Sequence, residues 1–226
     1  MTETFPLATG AEARTSNPPG ELAAVFVNGG TARPLPGTWS ATSELLVTTL
    51  AARLPGIRFV EVRYRLKSWK ELQACMDDAA AAVEHAVADG ARSCLLVGFS
   101  MGGAVSIGIT SEPAVTGVLG LAPWIPERLS LAGLAGKRLD VLHGSWDRYL
   151  PGIPGVHPGS SLAGFERARA LGAEGSYTVI PGGLHGCAVR GPSGRLFRLP
   201  RWRRWVDAVG DALGAFQASA SLRRFS

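Results

Sequence analysis

The sequence predicts an α/β protein with one domain, built on a mostly parallel sheet of about six strands with helices on both faces. Short apolar runs alternate with segments of helical length and periodicity, which is the pattern of parallel strands joined by crossover helices. The 226 residues, 46% of them hydrophobic, can enclose one core of this kind, and no internal repeat or linker divides them. We therefore expect a domain over residues 21–218, with a flexible N-terminal segment at 1–20 and a flexible tail at 219–226.

The first half of the chain supplies three strands and two long helices. Apolar runs predict the strands at 22–27, 57–64 and 93–97. Between the first two strands, leucines recur on one face of a predicted helix at 40–54. Ser68 and Glu71 have the spacing of a capping box, so we expect a second helix to start there and to run to Gly90.

The second half continues the same alternation. Apolar runs predict strands at 115–121, 139–142 and 177–180, and too few residues separate the first two of these for more than one short helix. A loop rich in proline and glycine at 147–159 leads into a helix that ends near Leu171. The last predicted helix, at 200–216, has an apolar face at helical spacing.

Gly98, Ser100 and Gly102 form a Gly-x-Ser-x-Gly pattern between the third strand and a helix rich in small residues. A sharp strand-to-helix turn lifts the serine hydroxyl above the sheet, and it needs small neighbours two residues before and after the serine. The pattern by itself is weak, because the chain is rich in glycine, but its position between strand and helix favours a nucleophilic Ser100.

A serine hydroxyl needs a positioned base, and the base needs a carboxylate to orient it. Asp147 follows the fifth strand and His185 follows the sixth, so both lie at the edge where open α/β sheets build their sites. The order Ser, Asp, His along the chain is the order of this strand-to-helix nucleophile motif. Asp140 is a rival acid, but it lies at the start of the fifth strand and so at the wrong edge.

Acyl transfer also requires two backbone N–H groups directed at the developing negative oxygen. Met101, the residue after the serine, supplies one of them at a helix N-terminus. The loop after the first strand supplies the other, with Gly30 as the first choice and Thr31 as the second.

These motifs resemble those of the α/β-hydrolase superfamily, in its small form without a lid, over about residues 22 to 218. The phrases Gly-Phe-Ser-Met-Gly-Gly at 98–103 and His-Gly-Ser-Trp-Asp at 143–147 are similar to those of its esterase and dienelactone-hydrolase-like branches. The resemblance implies a single-domain α/β-hydrolase fold with no cap domain. Asn28 stands where many relatives have histidine, and the segment before the first strand looks too short for the two antiparallel strands that often begin the fold.

The motifs and the resemblance together imply a metal-free, cofactor-free serine hydrolase that cleaves a small carboxylic ester. Ser100 attacks the acyl carbon, His185 transfers the proton and Asp147 holds the imidazole. With no cap, loops must form the pocket, and Thr31, Trp124 and Trp146 are its candidate lining residues.

Other interpretations remain open. A thioesterase, a peptidase or an acyltransferase would use the same three residues, and the fold can also serve as a binding protein without catalysis. Ser100 and Asp147 could each simply cap a helix or turn. His143 is interpreted as ordering a turn, and Cys187 as a packing residue.

Composition and charge exclude several classes of protein. The three cysteines are widely spaced, which argues against a disulfide framework and a cysteine zinc site. Residues 190–226 carry eight arginines and two aspartates, and we interpret this +6 segment as a solvated helix face rather than a nucleic-acid site. No apolar run is long enough to cross a membrane, and residues 1–20 lack the features of a secretory signal. We expect a cytoplasmic monomer or homodimer whose partner is a small acyl substrate.

Overall fold

The computed structural model describes residues 3–148 and 155–222, which form a three-layer α/β arrangement. Twelve strands are present in this part of the chain: β1 Glu3–Pro6, β2 Glu12–Ser16, β3 Leu22–Val27, β4 Leu35–Pro36, β5 Arg58–Arg63, β6 Leu66–Lys67, β7 Ser93–Phe99, β8 Val115–Leu121, β9 Arg138–Gly144, β10 Tyr177–Ile180, β11 Ala188–Arg190 and β12 Leu196–Arg198. The α-helices are α1 Ala41–Leu50, α2 Leu72–Ala88, α3 Met101–Gly108, α4 Pro158–Ala170 and α5 Trp202–Leu222.

The central sheet has eight strands in the order β1-β2-β5-β3-β7-β8-β9-β10. Six of them, from β5 to β10 in that order, are parallel to their neighbours, as the sequence predicts. Parallel pairing brings the carboxyl ends of all six strands to one edge, where the loops that follow them meet. The pairs β4–β6 and β11–β12 form two small antiparallel ribbons away from this sheet.

The prediction of about six strands and a flexible segment over 1–20 is wrong for residues 3–16, which form β1 and β2 at the antiparallel edge of the sheet. These strands lack an apolar run because one face of β2 is charged. Arg14 lies opposite Glu61 of β5, with its Nε 2.8 Å from the carboxylate, and its Nη2 also binds Glu44 at 2.8 Å. Ion pairs of Arg14 across the strands therefore stabilise this hairpin. An apolar run, the pattern that predicts the other strands, is absent here.

Helices cover both faces of the sheet. The side chains of α2, α3 and α4 pack into one buried cluster, and those of α1 and α5 pack into the other. Only short loops and one turn of 3-10 helix (Ala132–Leu134) join β8 to β9, so no cap domain is inserted there. No helix among the described residues is long and apolar enough to span a bilayer.

Two predicted boundaries differ from the structure, and a predicted loop lies partly outside the described residues. The capping box at Ser68 does not start α2, because Ser68 is fully buried in a turn and the Trp69 amide donates to the Thr31 carbonyl at 3.1 Å. Helix α5 continues to Leu222, into the tail predicted at 219–226, of which 223–226 lie outside the described residues. The loop predicted at 147–159 is described except for residues 149–154.

Candidate active site

Ser100 lies at the junction of β7 and α3 with backbone angles φ 55° and ψ −120°. A side chain rarely adopts a positive φ, so surrounding contacts must hold this conformation. The Ser100 amide donates to the Leu121 carbonyl at 3.0 Å, and its carbonyl accepts from the amides of Gly103 and Trp124 at 2.9 Å each. Three hydrogen bonds thus fix the backbone of the predicted nucleophile.

The glycines around Ser100 are required by close backbone packing. A Cβ at Gly102 would lie 2.1 Å from the Val27 carbonyl oxygen, and a Cβ at Gly98 would lie 2.4 Å from the Gly102 carbonyl oxygen. Neither neighbour is a flexible side chain, so only glycine fits at these two positions. The loop after β3 also packs against Ser100, because a Cβ at Gly29 would lie 3.3 Å from Ser100 Cβ.

Asp147 and His185, which are 38 residues apart in the chain, meet at the carboxyl edge of the sheet. His185 Nδ1 lies 2.6 Å from Asp147 Oδ2, and the Val156 amide donates to the other carboxylate oxygen at 3.2 Å. The His185 ring packs against Phe99, next to Ser100 in the chain, with ring centroids 4.9 Å apart. Since Nδ1 is bound to the carboxylate, Nε2 is the ring nitrogen left to exchange a proton.

Sequence analysis did not predict that His143 would bind the same carboxylate. His143 Nε2 lies 3.0 Å from Asp147 Oδ2 and 2.8 Å from the Val156 carbonyl, and Nδ1 lies 2.7 Å from Ser161 Oγ. A carbonyl can only accept, so Nε2 carries the proton. The spacing of four residues between His143 and Asp147 was the available signal, but only the structure shows that the ring turns inward rather than ordering a surface turn.

The pKa of Asp147 is set by opposing effects. Burial by itself would raise the pKa, but the hydrogen bonds from His143 and His185 outweigh it and bring the pKa below its ordinary value. Asp147 therefore stays ionised and can orient a neighbouring imidazole near neutral pH.

This pKa shift predicts how stability depends on pH. A carboxyl group with a lower pKa in the folded state stabilises the fold above the unfolded-state pKa, about 3.9, and that contribution is lost as the pH falls through the folded-state value. We expect Asp147→Asn to lower the free energy of unfolding at pH 7, and the difference from the unmodified protein to shrink between about pH 5 and pH 3. Urea unfolding at several pH values measures it.

Asp207→Asn, at an exposed position of α5, is the control, and its effect on unfolding should be small throughout. A difference for Asp147→Asn that stayed constant or grew toward acid pH would contradict the predicted role of the buried carboxylate.

The backbone amides of Gly30 and Met101 are the candidate oxyanion donors. Asn28 Oδ1 accepts the Gly29 amide at 2.7 Å, so that donor is occupied. Neither the Gly30 amide nor the Met101 amide donates to an acceptor among the described residues. A Cβ at Gly30 would lie 2.1 Å from Met101 Sδ, which shows how closely this loop packs on the start of α3.

Ser100, Asp147 and His185 all line one cavity of about 910 Å³. Its walls are mainly aromatic and aliphatic, and four tryptophans contribute to them: Trp39, Trp69, Trp124 and Trp146. The predicted lining residues Trp124 and Trp146 are among these, but Thr31 is not, because its hydroxyl donates to the Arg33 and Lys67 carbonyls. Trp69 falls within the first turn of the helix that the sequence predicts from Ser68. Because α2 begins only at Leu72, Trp69 lies before the helix and lines the cavity.

Other polar residues have structural surroundings. Asp140 accepts from Arg138 and from Ser176, away from the cavity. Cys187 is fully buried, and burial raises the pKa of its thiol to about 12, so the thiol is a poor nucleophile. Among the described residues, no three histidine, cysteine or acidic side chains converge to hold a metal ion.

Comparisons with known proteins find similar structures but no similar sequences: no protein-family model and no curated sequence matches the chain. A sugar hydrolase from Lactococcus lactis matches with a TM-score of 0.72 and 15% identity, over 97% of this chain and 99% of that chain. A carboxylesterase from Lactobacillus plantarum matches with a TM-score of 0.67 and 15% identity, over 97% of each chain.

A third similar structure is a serine hydrolase without a lid from Xanthomonas campestris, with a TM-score of 0.58 and 17% identity over 82% of this chain and 85% of that chain. At these identities the likeness shows the fold. The chain has the α/β-hydrolase fold in a form without a cap domain.

Proposed function

We propose that this protein is a serine hydrolase that cleaves small carboxylic esters, with Ser100 as nucleophile, His185 as general base and Asp147 as the group that orients the imidazole. The observation that carries the proposal is the hydrogen bond of 2.6 Å between His185 and a buried Asp147, in a cavity that Ser100 also lines. A base oriented by a buried carboxylate, in the cavity that the serine also lines, supports the assignment of Ser100 as nucleophile.

The proposed reaction proceeds in two halves. The Ser100 hydroxyl attacks the acyl carbon as His185 Nε2 takes its proton, and the amides of Gly30 and Met101 stabilise the oxyanion of the tetrahedral intermediate. His185 returns the proton to the leaving alcohol, and the acyl group remains on Ser100. Water, activated by the same imidazole, then releases the carboxylic acid and restores the hydroxyl.

The cavity favours an ester over a sugar substrate. Its walls are mostly aromatic and aliphatic side chains, whereas a sugar needs hydrogen-bonding groups around its hydroxyls. One of the similar structures is a carboxylesterase and another is a sugar hydrolase, so their names support both classes. The mainly apolar lining supports the ester.

The sharpest test combines a serine-directed fluorophosphonate with a substrate panel. Mass spectrometry should locate the probe on Ser100. The protein should hydrolyse 4-nitrophenyl esters of short acids faster than the matched thioesters and anilides. Labelling with thioester or anilide turnover in place of ester turnover would favour a thioesterase or peptidase, and transfer to an added alcohol would favour an acyltransferase. No labelling at all would favour a binding protein without catalysis.

The proposed base predicts a pH profile. Only a neutral imidazole can take the serine proton, so ester hydrolysis should become slower as the pH is lowered from neutral into the acid range. Initial rates with one ester in a constant-ionic-strength buffer series measure this. A flat profile over the same interval would contradict His185 as the base.

We also propose that the arginine-rich C-terminal segment has a structural role and that the protein is a cytoplasmic monomer or homodimer. Four of its arginines have contacts within the chain: Arg190 with Glu44, Arg195 with Phe197, and Arg198 and Arg203 with Trp202. These contacts, three of them in the β11–β12 ribbon and one in α5, support a structural role rather than a nucleic-acid site. Absence of DNA retention at low salt is the expected result.

A further inference from the structure

We propose that the cavity selects esters that carry a negative charge away from the scissile bond, and that Lys67 binds this charge. The inference rests on the proposed function and names its substrate class. It concerns the ammonium group of Lys67, which lines the same cavity as Ser100. The sequence by itself indicated no role for this residue.

The charges around the cavity are unbalanced. Apart from His185, its charged lining residues are Lys67, Arg148 and Asp147. Asp147 is buried and its carboxylate is already bound by two imidazoles and the Val156 amide. The two cations are therefore the only charges that a bound substrate would meet at the described surface of the cavity.

Lys67 also lacks a carboxylate partner among the described residues. Its Nζ donates to Thr38 Oγ1 at 2.8 Å, which uses one of three N–H donors. By contrast, the less exposed side chains of Arg14 and Arg58 are each paired with carboxylates. Lys67 is half-buried, and burial lowers the pKa of its ammonium group. An anion at this position would offset the unfavourable desolvation of the charge.

A short series of contacts connects Lys67 to the loop that packs against Ser100. The Thr38 carbonyl accepts from Asn28 Nδ2 at 2.7 Å, and Asn28 precedes Gly29, whose backbone packs against Ser100. On its own strand, the Lys67 carbonyl accepts from Thr31 Oγ1 at 3.0 Å. The ammonium group therefore lies on a solvent-accessible part of the cavity wall, and its contacts connect it to the candidate oxyanion loop.

The occupant that fits is an anionic ester with an apolar body. Tryptophans line the same cavity, including Trp39 and Trp69, and they suit the methylene or aromatic part of a substrate. A carboxylate several bonds from the scissile carbonyl can reach the ammonium while the carbonyl lies at Ser100. The charge can belong to the acyl group or to the alcohol, and the two arms of the test separate these sources.

The test compares charged and neutral esters of matched shape. Mono-4-nitrophenyl adipate and 4-nitrophenyl hexanoate differ by a charge on the acyl side, and the hexanoate esters of 4-hydroxybenzoate and of phenol differ on the alcohol side. We expect kcat/KM to favour the anionic member of at least one pair by about tenfold, as expected for a charge-assisted hydrogen bond. Lys67→Met should remove this preference, and added salt should weaken it.

Lys70→Met is the matched control, because Lys70 is an exposed lysine three residues away that does not line the cavity. It should retain the ratio of the unmodified protein. A ratio near one in the unmodified protein, or an unchanged ratio in Lys67→Met, would overturn the proposal. Equal losses in both lysine variants would also overturn it, because the effect would then reflect overall charge.

A binding measurement keeps the two proposals separate. Adipate should change the tryptophan fluorescence of the unmodified protein and of Lys70→Met at millimolar concentration, but not that of Lys67→Met. If no ester is hydrolysed and adipate still binds in this pattern, the proposed function fails and the anion site stands. If esters are hydrolysed and adipate binds to none of the three proteins, the anion site fails and the proposed function stands.

Discussion

Replacing Ser100 by alanine should lower kcat/KM for ester hydrolysis at least a thousandfold while leaving the protein folded. The oxygen that attacks the acyl carbon is lost, and the residual rate comes only from the remaining binding and oxyanion groups. Alanine keeps the Cβ and backbone at this position, so the three hydrogen bonds of the Ser100 backbone can still form. Purified variants should be compared by steady-state kinetics, fluorophosphonate labelling and thermal unfolding.

Ser106 offers a matched control for this substitution. It lies on the same helix, α3, is fully buried, and its hydroxyl has no hydrogen-bond partner among the described residues. It does not line the cavity. Ser106→Ala should retain activity within about twofold and should be as stable as the unmodified protein or more stable, because it removes an unsatisfied polar group. Full activity in Ser100→Ala, with labelling elsewhere in the chain, would move the nucleophile.

Replacing Gly102 by alanine should destabilise the protein by about 3 kcal/mol or more, in contrast to the usual effect of alanine in a helix. The new Cβ would lie 2.1 Å from the Val27 carbonyl oxygen and 2.7 Å from that of Asn28. Both oxygens belong to the backbone at the end of β3. Relief of the contact would therefore move the strand-to-helix turn at Ser100 away from the loop that follows β3 and carries Gly30. Activity should fall together with stability.

Gly214 is the control, since it lies in helix α5 and a Cβ there would meet nothing within 4 Å. Gly214→Ala should raise the free energy of unfolding by about 0.5 to 1 kcal/mol, because alanine restricts the unfolded chain. Chemical denaturation of both variants measures the two effects. Changes of the same sign would mean that helix propensity, and not the backbone contact at Gly102, determines the result.

The sequence predicted the parallel part of the sheet well because all of its strands except the edge strand β10 are largely buried on both faces. Strands such as β3 and β8 must then be continuous apolar runs, which can be recognised without knowing their neighbours. Strand β2 lies at the edge and is stabilised by Arg14 and Glu61 across the strands. That stabilisation involves residues 47 positions apart, so no local pattern reveals it.

The candidate site divides in the same way. The strand-to-helix turn at Ser100 could be predicted, because it requires glycine at two neighbouring positions, Gly98 and Gly102. This steric requirement is local and is visible as a fixed spacing in the sequence. The second imidazole at Asp147 could not be predicted, because the orientation of the His143 ring depends on Ser161 and on Val156, which approach it from later in the chain. The position of Lys67 in the cavity wall likewise depends on the pairing of β6 with β4, which joins segments about 30 residues apart.

The sequence by itself determined the class of fold and the positions of the apolar runs that form the parallel strands. It also determined which candidate catalytic residue follows each of three strands. These properties follow from burial and backbone sterics, which act on neighbouring residues. Tertiary structure decided which carboxylate meets which imidazole, which amides lack an acceptor among the described residues and which cations line the cavity with Ser100. Those outcomes depend on distances between remote segments, and such distances exist only after the sheet has brought its strand ends to one edge.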